Sequence, residues 1–313
     1  MGDGARQSVQ RRNCSQRGAS EWAEPRESER SHTRSRRVGA ARGYVLDHRA
    51  RTIQVMWDPK QYARFGDERS RPFYELVAQI GADDARTVVD LGCGPGGLTA
   101  SLANRFISAQ IIGVDNDPAM LRSAATFASE RVRFEAGDIA TWMPSEPVDV
   151  LVSNAALQWD LGHLARMPVL LGHVVPGGWF AFQVPGNLDD SHHQAIRALR
   201  REPHWASIPT LAAVPDRTHV SRPAAEYLDA LARLGCKVDA WETTYVHILT
   251  GPDPVLEWVK GTALRPVLDA LPDDDVRAEF LSELAPRLRE AYPSRPYGTP
   301  FPFRRVFVVA QKP

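Results

Sequence analysis

The residues best placed to do chemistry stand at the ends of short apolar runs. Asp90 closes the β-branched run Thr87 to Leu91 and opens a glycine turn, D-L-G-C-G-P-G-G over residues 90–97, before a helix-forming stretch. Gly92, Gly94 and Gly97 satisfy G-x-G-x-x-G, with Gly96 between them, so a nicotinamide dinucleotide is one reading. A pyrophosphate, however, needs donors at that turn, whereas Asp90 offers a carboxylate. An ammonium group suits that carboxylate, and S-adenosylmethionine carries one on its methionine half and has no phosphate. Asp115, after the second run, can accept both ribose hydroxyls in a fork, as acids also do in dinucleotide sites. Met120, one turn into the next helix, either covers an adenine face or fills the core. Asp138, after the third run, is placed to accept from an adenine amino group, with Ile139 flanking the ring. Asn154 ends the fourth run, beside the expected position of the sulfonium and its methyl group.

Strand ends must hold these side chains together. A helix is expected over 69–80, then strand 87–91, helix 97–105, strand 110–114 and a helix from Pro118 toward Ser129. Strands 132–135 and 148–153, helix 161–174 and strand 179–184 continue the alternation. That rhythm predicts an α/β fold, a Rossmann-like open parallel sheet with helices on both faces. The polar stretch 186–222 suits an insertion over the carboxyl edge of the sheet. A helix over 223–234 stops at Gly235. Strands 238–249 and 304–310, with helices 254–264 and 273–291 between them, suggest an antiparallel pair at the sheet's edge, so that 186–222 and 251–300 form an inserted helical lid.

Composition narrows the function classes. The chain has 313 residues, 24% charged and 43% hydrophobic, with 38 basic and 38 acidic side chains, which argues against a wholly basic nucleic-acid binder. No run is long and apolar enough for a membrane span. Three cysteines (Cys14, Cys93 and Cys236) lack metal-ligand spacing, which predicts no metal site and a reducing, cytoplasmic location. Residues 1–55 carry 12 Arg, no Lys and 6 acids, a net of +6, leaving 26 basic and 32 acidic groups, a net of −6, in the remainder. With few aliphatic residues, this head is expected to be a disordered basic extension, and residues 56–313 the folded domain. An organelle leader and a nucleic-acid arm are alternatives for the head; its four glutamates oppose the first and its lack of aromatic company the second.

The glycine loop, the acids at 115 and 138 and Asn154 resemble the class I S-adenosylmethionine methyltransferases. More narrowly, Trp57-Asp-Pro-Lys-Gln-Tyr62, Glu68-Arg-Ser-Arg-Pro72, Asn154-Ala-Ala-Leu-Gln-Trp159, Gln183-Val-Pro-Gly-Asn187, Trp241-Glu-Thr-Thr-Tyr-Val-His247 and Phe301-Pro-Phe-Arg-Arg-Val-Phe307 resemble the trans-aconitate 2-methyltransferase family. The resemblance covers residues 57 to about 310. It implies a seven-stranded, mostly parallel sheet with the last strand antiparallel, and S-adenosylmethionine as methyl donor. It also implies monomethyl esterification of a small tricarboxylate; the chain is expected to act without a metal and as a monomer.

A carboxylate has a pKa of about 4 and needs no general base, so the site must orient it and offset its desolvation. Leu157-Gln158-Trp159 resembles the Leu-His-Trp segment of plant carboxyl methyltransferases, which makes the Trp159 indole the candidate neutral donor and Gln158 a second. Gln183 and Asn187 flank the end of the fifth strand and face the same cleft in that topology. Arg71 or Arg69 is the candidate partner of the donor's own carboxylate. Arg265 and Arg304, or Arg305 beside it, are candidates for the acceptor's other carboxylates. Tyr245 and His247 share one face of a predicted strand, as substrate contacts or as a buried polar pair; for another O- or N-nucleophile, His247 is the candidate base. A dinucleotide oxidoreductase and a cofactor-binding module without catalysis are the readings from other classes.

Overall fold

The computed structural model of the chain describes residues 66–216 and 220–313. The readings of the basic head, of Met56, of the Trp57 to Tyr62 segment and of the Arg69 side chain lie outside the described residues. Helix α1 (Gly66–Val77) precedes β1 (Thr87–Leu91), α2 (Gly97–Arg105), β2 (Gln110–Asp115), α3 (Pro118–Ala124), β3 (Val132–Ala136) and β4 (Val148–Asn154). Next come α4 (Met167–Gly172), β5 (Val174–Pro185) and three lid helices, α5 (Ser191–Arg200), α6 (Pro203–Ala206) and α7 (Pro209–Ala212). Helix α8 (Ala224–Ala232) and β6 (Lys237–Leu249) lead to α9 (Pro254–Lys260), α10 (Arg265–Ala270), α11 (Asp274–Ala291) and β7 (Thr299–Gln311). The seven strands lie in the order β3-β2-β1-β4-β5-β7-β6, with only β7 antiparallel to its neighbours.

Alternating apolar positions on the strands fill both faces, as expected of a buried sheet. One face packs Val89, Leu91, Leu151, Phe180, Phe182 and Val306 against α4 and α8. The other packs Val88, Val150, Val152, Ala181 and Phe307 against α1 and α2. Each fully buried aliphatic or aromatic side chain contributes about 1.5–3 kcal/mol, so side-chain parity along these strands is strongly fixed.

Several elements differ from the sequence reading, each for a local reason. The helix expected over 161–174 shrinks to α4, because Pro168 marks its first turn and Gly162 closes an earlier turn onto the Asp160 carboxylate (2.8 Å). The helix from Pro118 ends at Ala124 and tightens into a single 3-10 turn. The helix expected over 254–264 stops at Lys260, before Gly261, and the separate α10 begins at Arg265. Strand β7 starts five residues before the expected 304 and takes in Pro300 and Pro302. Beyond the Pro185–Arg305 pair, β7 has β6 but no longer β5 as neighbour. The Gly186 N–H bonds the Arg304 carbonyl (2.8 Å), so the even-numbered residues of β7 point their backbone groups toward β5. The missing N–H groups of Pro300 and Pro302 therefore fall where no strand pairs.

That overhang creates the lid. Residues 245–249 and 299–303 run on past the carboxyl ends of the parallel strands as a two-stranded ribbon. Phe301 and Phe303 on its apolar side join a separate core with Trp205, Trp258, Phe280, Leu284 and Leu288. The two inserted segments, α5 to α7 and α9 to α11, thus share one hydrophobic cluster above the edge where the predicted site residues end their strands.

Candidate functional site

The glycine turn is shaped by close packing. Gly92 has φ +86°, and a methyl group there would collide with the Ala156 side chain; Gly96 has the same φ, and a Cβ would lie 2.6 Å from that of Ala124. Both positions exclude any other residue. Around Gly94 no described atom lies within 4 Å of an added Cβ, so this stretch of backbone faces open space.

Asp90 sits beneath the turn with only 2% exposure. Its Oδ2 accepts from Thr99 Oγ1 (2.6 Å), a residue of the first turn of α2, while Oδ1 is buried and lacks a hydrogen-bond partner among the described residues. Burial, opposed by the Thr99 bond and reinforced by nearby Asp115, pushes its pKa up to about 7. A buried carboxylate oxygen awaiting a donor, beside open backbone, fits an ammonium group. It would repel a pyrophosphate. Burial likewise raises the Cys93 thiol within the turn, so this cysteine is a packing residue rather than a nucleophile.

Asp115 ends β2 as expected. Its two oxygens already accept from Gly94 N (2.8 Å) and Asp117 N (2.9 Å), so it pins the glycine turn as well as offering a second lone pair on each oxygen. Asp138 behaves alike, accepting from Ala140 N (2.7 Å) and Asn116 Nδ2 (3.1 Å). Met120 is buried on α3, and Ile139 is half-buried against the sheet core, its carbonyl held by Arg166 Nη2 (3.2 Å).

Beyond Asn154 the chain reverses through Ala155, which holds φ +54°. Gln158 Nε2 donates to the Ala155 carbonyl (2.6 Å), so this amide braces the strained turn. Trp159, by contrast, is 47% exposed at the end of that turn, which excludes the packed-core alternative. Arg166 ties this loop to the one after β3: it pairs with Asp160 (3.1 Å) while holding the Ile139 carbonyl (3.2 Å), a link that only the fold brings together. Gln183 is fully buried and donates to Asn154 Oδ1 (2.7 Å), across neighbouring strands, while its Oε1 accepts from Arg305 Nη1 (3.3 Å).

Other expected contacts are corrected. Asn187 is buried beside His192 (3.4 Å), whose Nδ1 meets the Tyr292 hydroxyl (3.0 Å), so it joins the sheet to the lid, while its buried Oδ1 lacks a partner among the described residues. Arg71 pairs with Glu75 (2.7 Å) and lies 5.1 Å over the Tyr245 ring. Tyr245 donates to Glu75 Oε2 (2.5 Å), and burial raises its pKa. His247 stacks on Trp258 with 4.8 Å between centroids. This pair takes the buried, partnered reading. Arg304 points to the opposite face and bonds Glu242 (2.7 Å). Arg265 approaches Asp117 (3.8 Å), the N-cap of α3, and Asp269 (3.9 Å) on its own helix. Among the described residues no group of three or more His, Cys, Asp or Glu could hold a metal ion, and no helix is long and apolar enough to cross a membrane.

Comparison with known proteins agrees with this geometry. Residues 82–189 match the family model described as a methyltransferase domain, a span that includes the glycine turn, Asp115, Asp138 and Asn154. The trans-aconitate 2-methyltransferase of Streptomyces avermitilis is 49% identical over 264 residues, covering 82% of this chain and 97% of that protein. Its namesake in Rhodococcus jostii is 51% identical over 264 residues, covering 82% and 99%. That of Mycobacterium tuberculosis is 45% identical over 258 residues, covering 82% and 97%. With half its residues identical across four-fifths of its length, the chain belongs to the trans-aconitate 2-methyltransferase family.

Proposed function

We propose that the chain uses S-adenosylmethionine to esterify one carboxylate of trans-aconitate, giving a monomethyl ester. The observation that carries the donor half is the buried Asp90 oxygen, which faces the glycine turn with no described partner. The acceptor half is carried by relatives of that name at 45–51% identity. When bound, S-adenosylmethionine supplies a methyl group activated by a positive sulfur.

The chain's own residues then have four tasks. Asp90 takes the ammonium group, and Asp115 the ribose hydroxyls through its free lone pairs. Ile139 and Met120 flank the adenine, and Asp138 accepts from its amino group. Asn154, oriented by Gln183, borders the reacting centre. The Trp159 indole N–H steadies the reacting carboxylate as a neutral donor, which offsets desolvation without quenching nucleophilicity as a cation would. No side chain has to remove a proton, since the acceptor is ionised at neutral pH. Catalysis is then mainly alignment and water exclusion, with the lid closing the carboxyl edge.

Two measurements test this reading. Calorimetry is expected to show binding of S-adenosylhomocysteine and none of NAD or NADP. Incubation with S-adenosylmethionine and trans-aconitate is expected to yield a product about 14 mass units heavier than the acid, the increment of one methyl replacing a proton. Binding of a nicotinamide dinucleotide, or methylation of neutral alcohols in preference to acids, would refute it.

A further inference from the structure

Two side-chain amides meet across the ends of β4 and β5, and their meeting has a direction. Asn154 and Gln183 are register partners, and Gln183 Nε2 donates to Asn154 Oδ1 (2.7 Å). On its other side Gln183 Oε1 accepts from Arg305 Nη1 (3.3 Å). A guanidinium has N–H donors and no acceptor, so it can meet only the oxygen of the Gln183 amide. That leaves the NH2 group of Gln183 for β4, and Asn154 must answer with its own oxygen. The Asn154 NH2 group is thereby turned away from β5. Reversing either amide would set donor against donor, or oxygen against oxygen, beside a fully buried Gln183. The origin of the constraint is itself fixed, since Arg305 is 7% exposed with its guanidinium 4.5 Å from the Phe303 ring centroid. Asn154 is half-buried, and its Nδ2 has no hydrogen-bond partner among the described residues. On the neighbouring strand Asp90 pairs with Val152, so Asn154 lies just beyond the level of that carboxylate, at the same edge.

We infer that Gln183 is a positioning residue that passes the polarity of Arg305 on to Asn154, so that the strand end beside the reacting centre offers N–H donors and never a lone pair. This role rests on the carboxyl-methylation reading and extends it to the group that faces the reacting oxygen. Donor and lone pair have opposite effects there. The reacting oxygen is an anion that leaves water, and a neutral N–H offsets part of that loss. An amide oxygen in the same place would repel the anion as it approached the methyl group. A free amide turns over about its last bond at little cost, so its sense needs an outside reference. Arg305 supplies one that holds at any working pH, because its guanidinium stays protonated.

The test looks for an inverted order of substitutions at position 183. The full chain is assayed for kcat/KM with S-adenosylmethionine and trans-aconitate, and S-adenosylhomocysteine affinity and melting temperature are measured in parallel. Gln183→Glu keeps the shape, and Arg305 keeps the new carboxyl ionised. Its second oxygen faces Asn154, which must then turn its NH2 group inward and its oxygen to the cleft. Gln183→Met is neutral and leaves Asn154 free to take either sense. Glutamate is expected to lower kcat/KM roughly 10- to 100-fold and methionine only about two- to fivefold. Affinity for S-adenosylhomocysteine should stay within about threefold in both. A Gln183 that only fills space or partners the arginine predicts the reverse order, since glutamate is the closer match and keeps that cation paired. Methionine as damaging as glutamate, or an equal fall in S-adenosylhomocysteine affinity, would overturn the relay. If a position-183 variant fails to fold, Asn154→Asp and Asn154→Ala carry the same comparison. Aspartate, which offers the cleft only lone pairs, should then be at least about tenfold worse than alanine, and equal losses would overturn the relay. Wild-type inactivity toward every acid, at normal S-adenosylhomocysteine affinity, would instead remove the carboxylate reading and the relay with it.

Discussion

Replacing Asp90 with asparagine should make the ligand-free protein more stable and the site useless. Folding moves the Asp90 carboxyl from water, with a pKa near 3.8, to a buried position where it titrates at about 7. The unfolded chain therefore releases this proton more readily than the native one. The contribution of Asp90 to stability is fully present only below pH 3.8 and is lost as the pH rises through 7. About three pKa units correspond to a cost of roughly 4 kcal/mol at pH 8. The asparagine side chain is nearly isosteric, its amide oxygen can still accept from Thr99, and it carries no charge to desolvate. Thermal unfolding at pH 8 should accordingly shift upward by about 10 °C in the Asp90→Asn variant. At pH 4 the two proteins should unfold within a few degrees of each other. Ligand binding should move the other way. Saturating S-adenosylhomocysteine should raise the wild-type melting temperature and barely move the variant's, because an ammonium loses its anionic partner at about 1.5–3 kcal/mol. Wild-type affinity should also strengthen about tenfold from pH 6 to pH 8, as the ionised form of Asp90 becomes dominant. A variant that is less stable at pH 8 and still binds S-adenosylhomocysteine normally would refute both the burial cost and the ammonium assignment.

Three further outcomes follow from the geometry. Gly92→Ala combines an unfavourable positive φ with a clash against Ala156, so denaturant unfolding should show a loss of about 2–4 kcal/mol. Trp159→Phe should lower kcat/KM for trans-aconitate roughly 10- to 100-fold at unchanged S-adenosylhomocysteine affinity, as for one donor to a charged group; an unaffected rate would remove the indole from the site. His193 is neutral in the fold, burial having lowered its pKa to about 4, so its stabilising contribution is whole above pH 6.5 and fades as the pH falls toward 4. The lid should therefore loosen by up to about 3 kcal/mol over that interval, detectable as a fall in hydrogen-exchange protection across α5 that His193→Gln lessens, the rest coming from buried His192, whose pKa is also lowered.

The sheet was legible because its strands obey simple punctuation. Strands β1, β2 and β4 are short apolar runs that end at Asp90 and its glycine turn, at Asp115 and at Asn154, Asp138 follows the end of β3, and the fold sets those ends along one edge. Burial on both faces leaves such runs few alternatives. Lid geometry was not legible, because α5 to α7 and α9 to α11 bury their apolar faces on one another and on Phe301 and Phe303, contacts separated by up to about a hundred residues. Nor does any local signal join Arg166 to both Asp160 and Ile139, since its two partners come from different loops. Thr99 could have been found: a hydroxyl in the first turn after a glycine loop points back toward the strand that ends there.

The choice between Arg304 and Arg305 shows how far side-chain periodicity reaches. Both arginines are adjacent to the predicted strand's start, and composition treats them alike. The segment F-P-F-R-R-V-F over 301–307 nevertheless alternates, with Phe301, Phe303, Arg305 and Phe307 at odd positions. On a strand these share a face, and three aromatics mark that face as buried. Arg305 is thus the arginine carried inward among apolar rings, which is costly unless the cation has work to do or a fixed partner. Arg304 falls on the side with the two prolines and pairs with Glu242 across β6. The structure bears this parity out through the Arg305–Gln183–Asn154 line, which only strand register could complete. Parity thus tells which of two adjacent arginines turns inward, and register tells which polar side chain it meets there, neither of which the glycine turn alone can give.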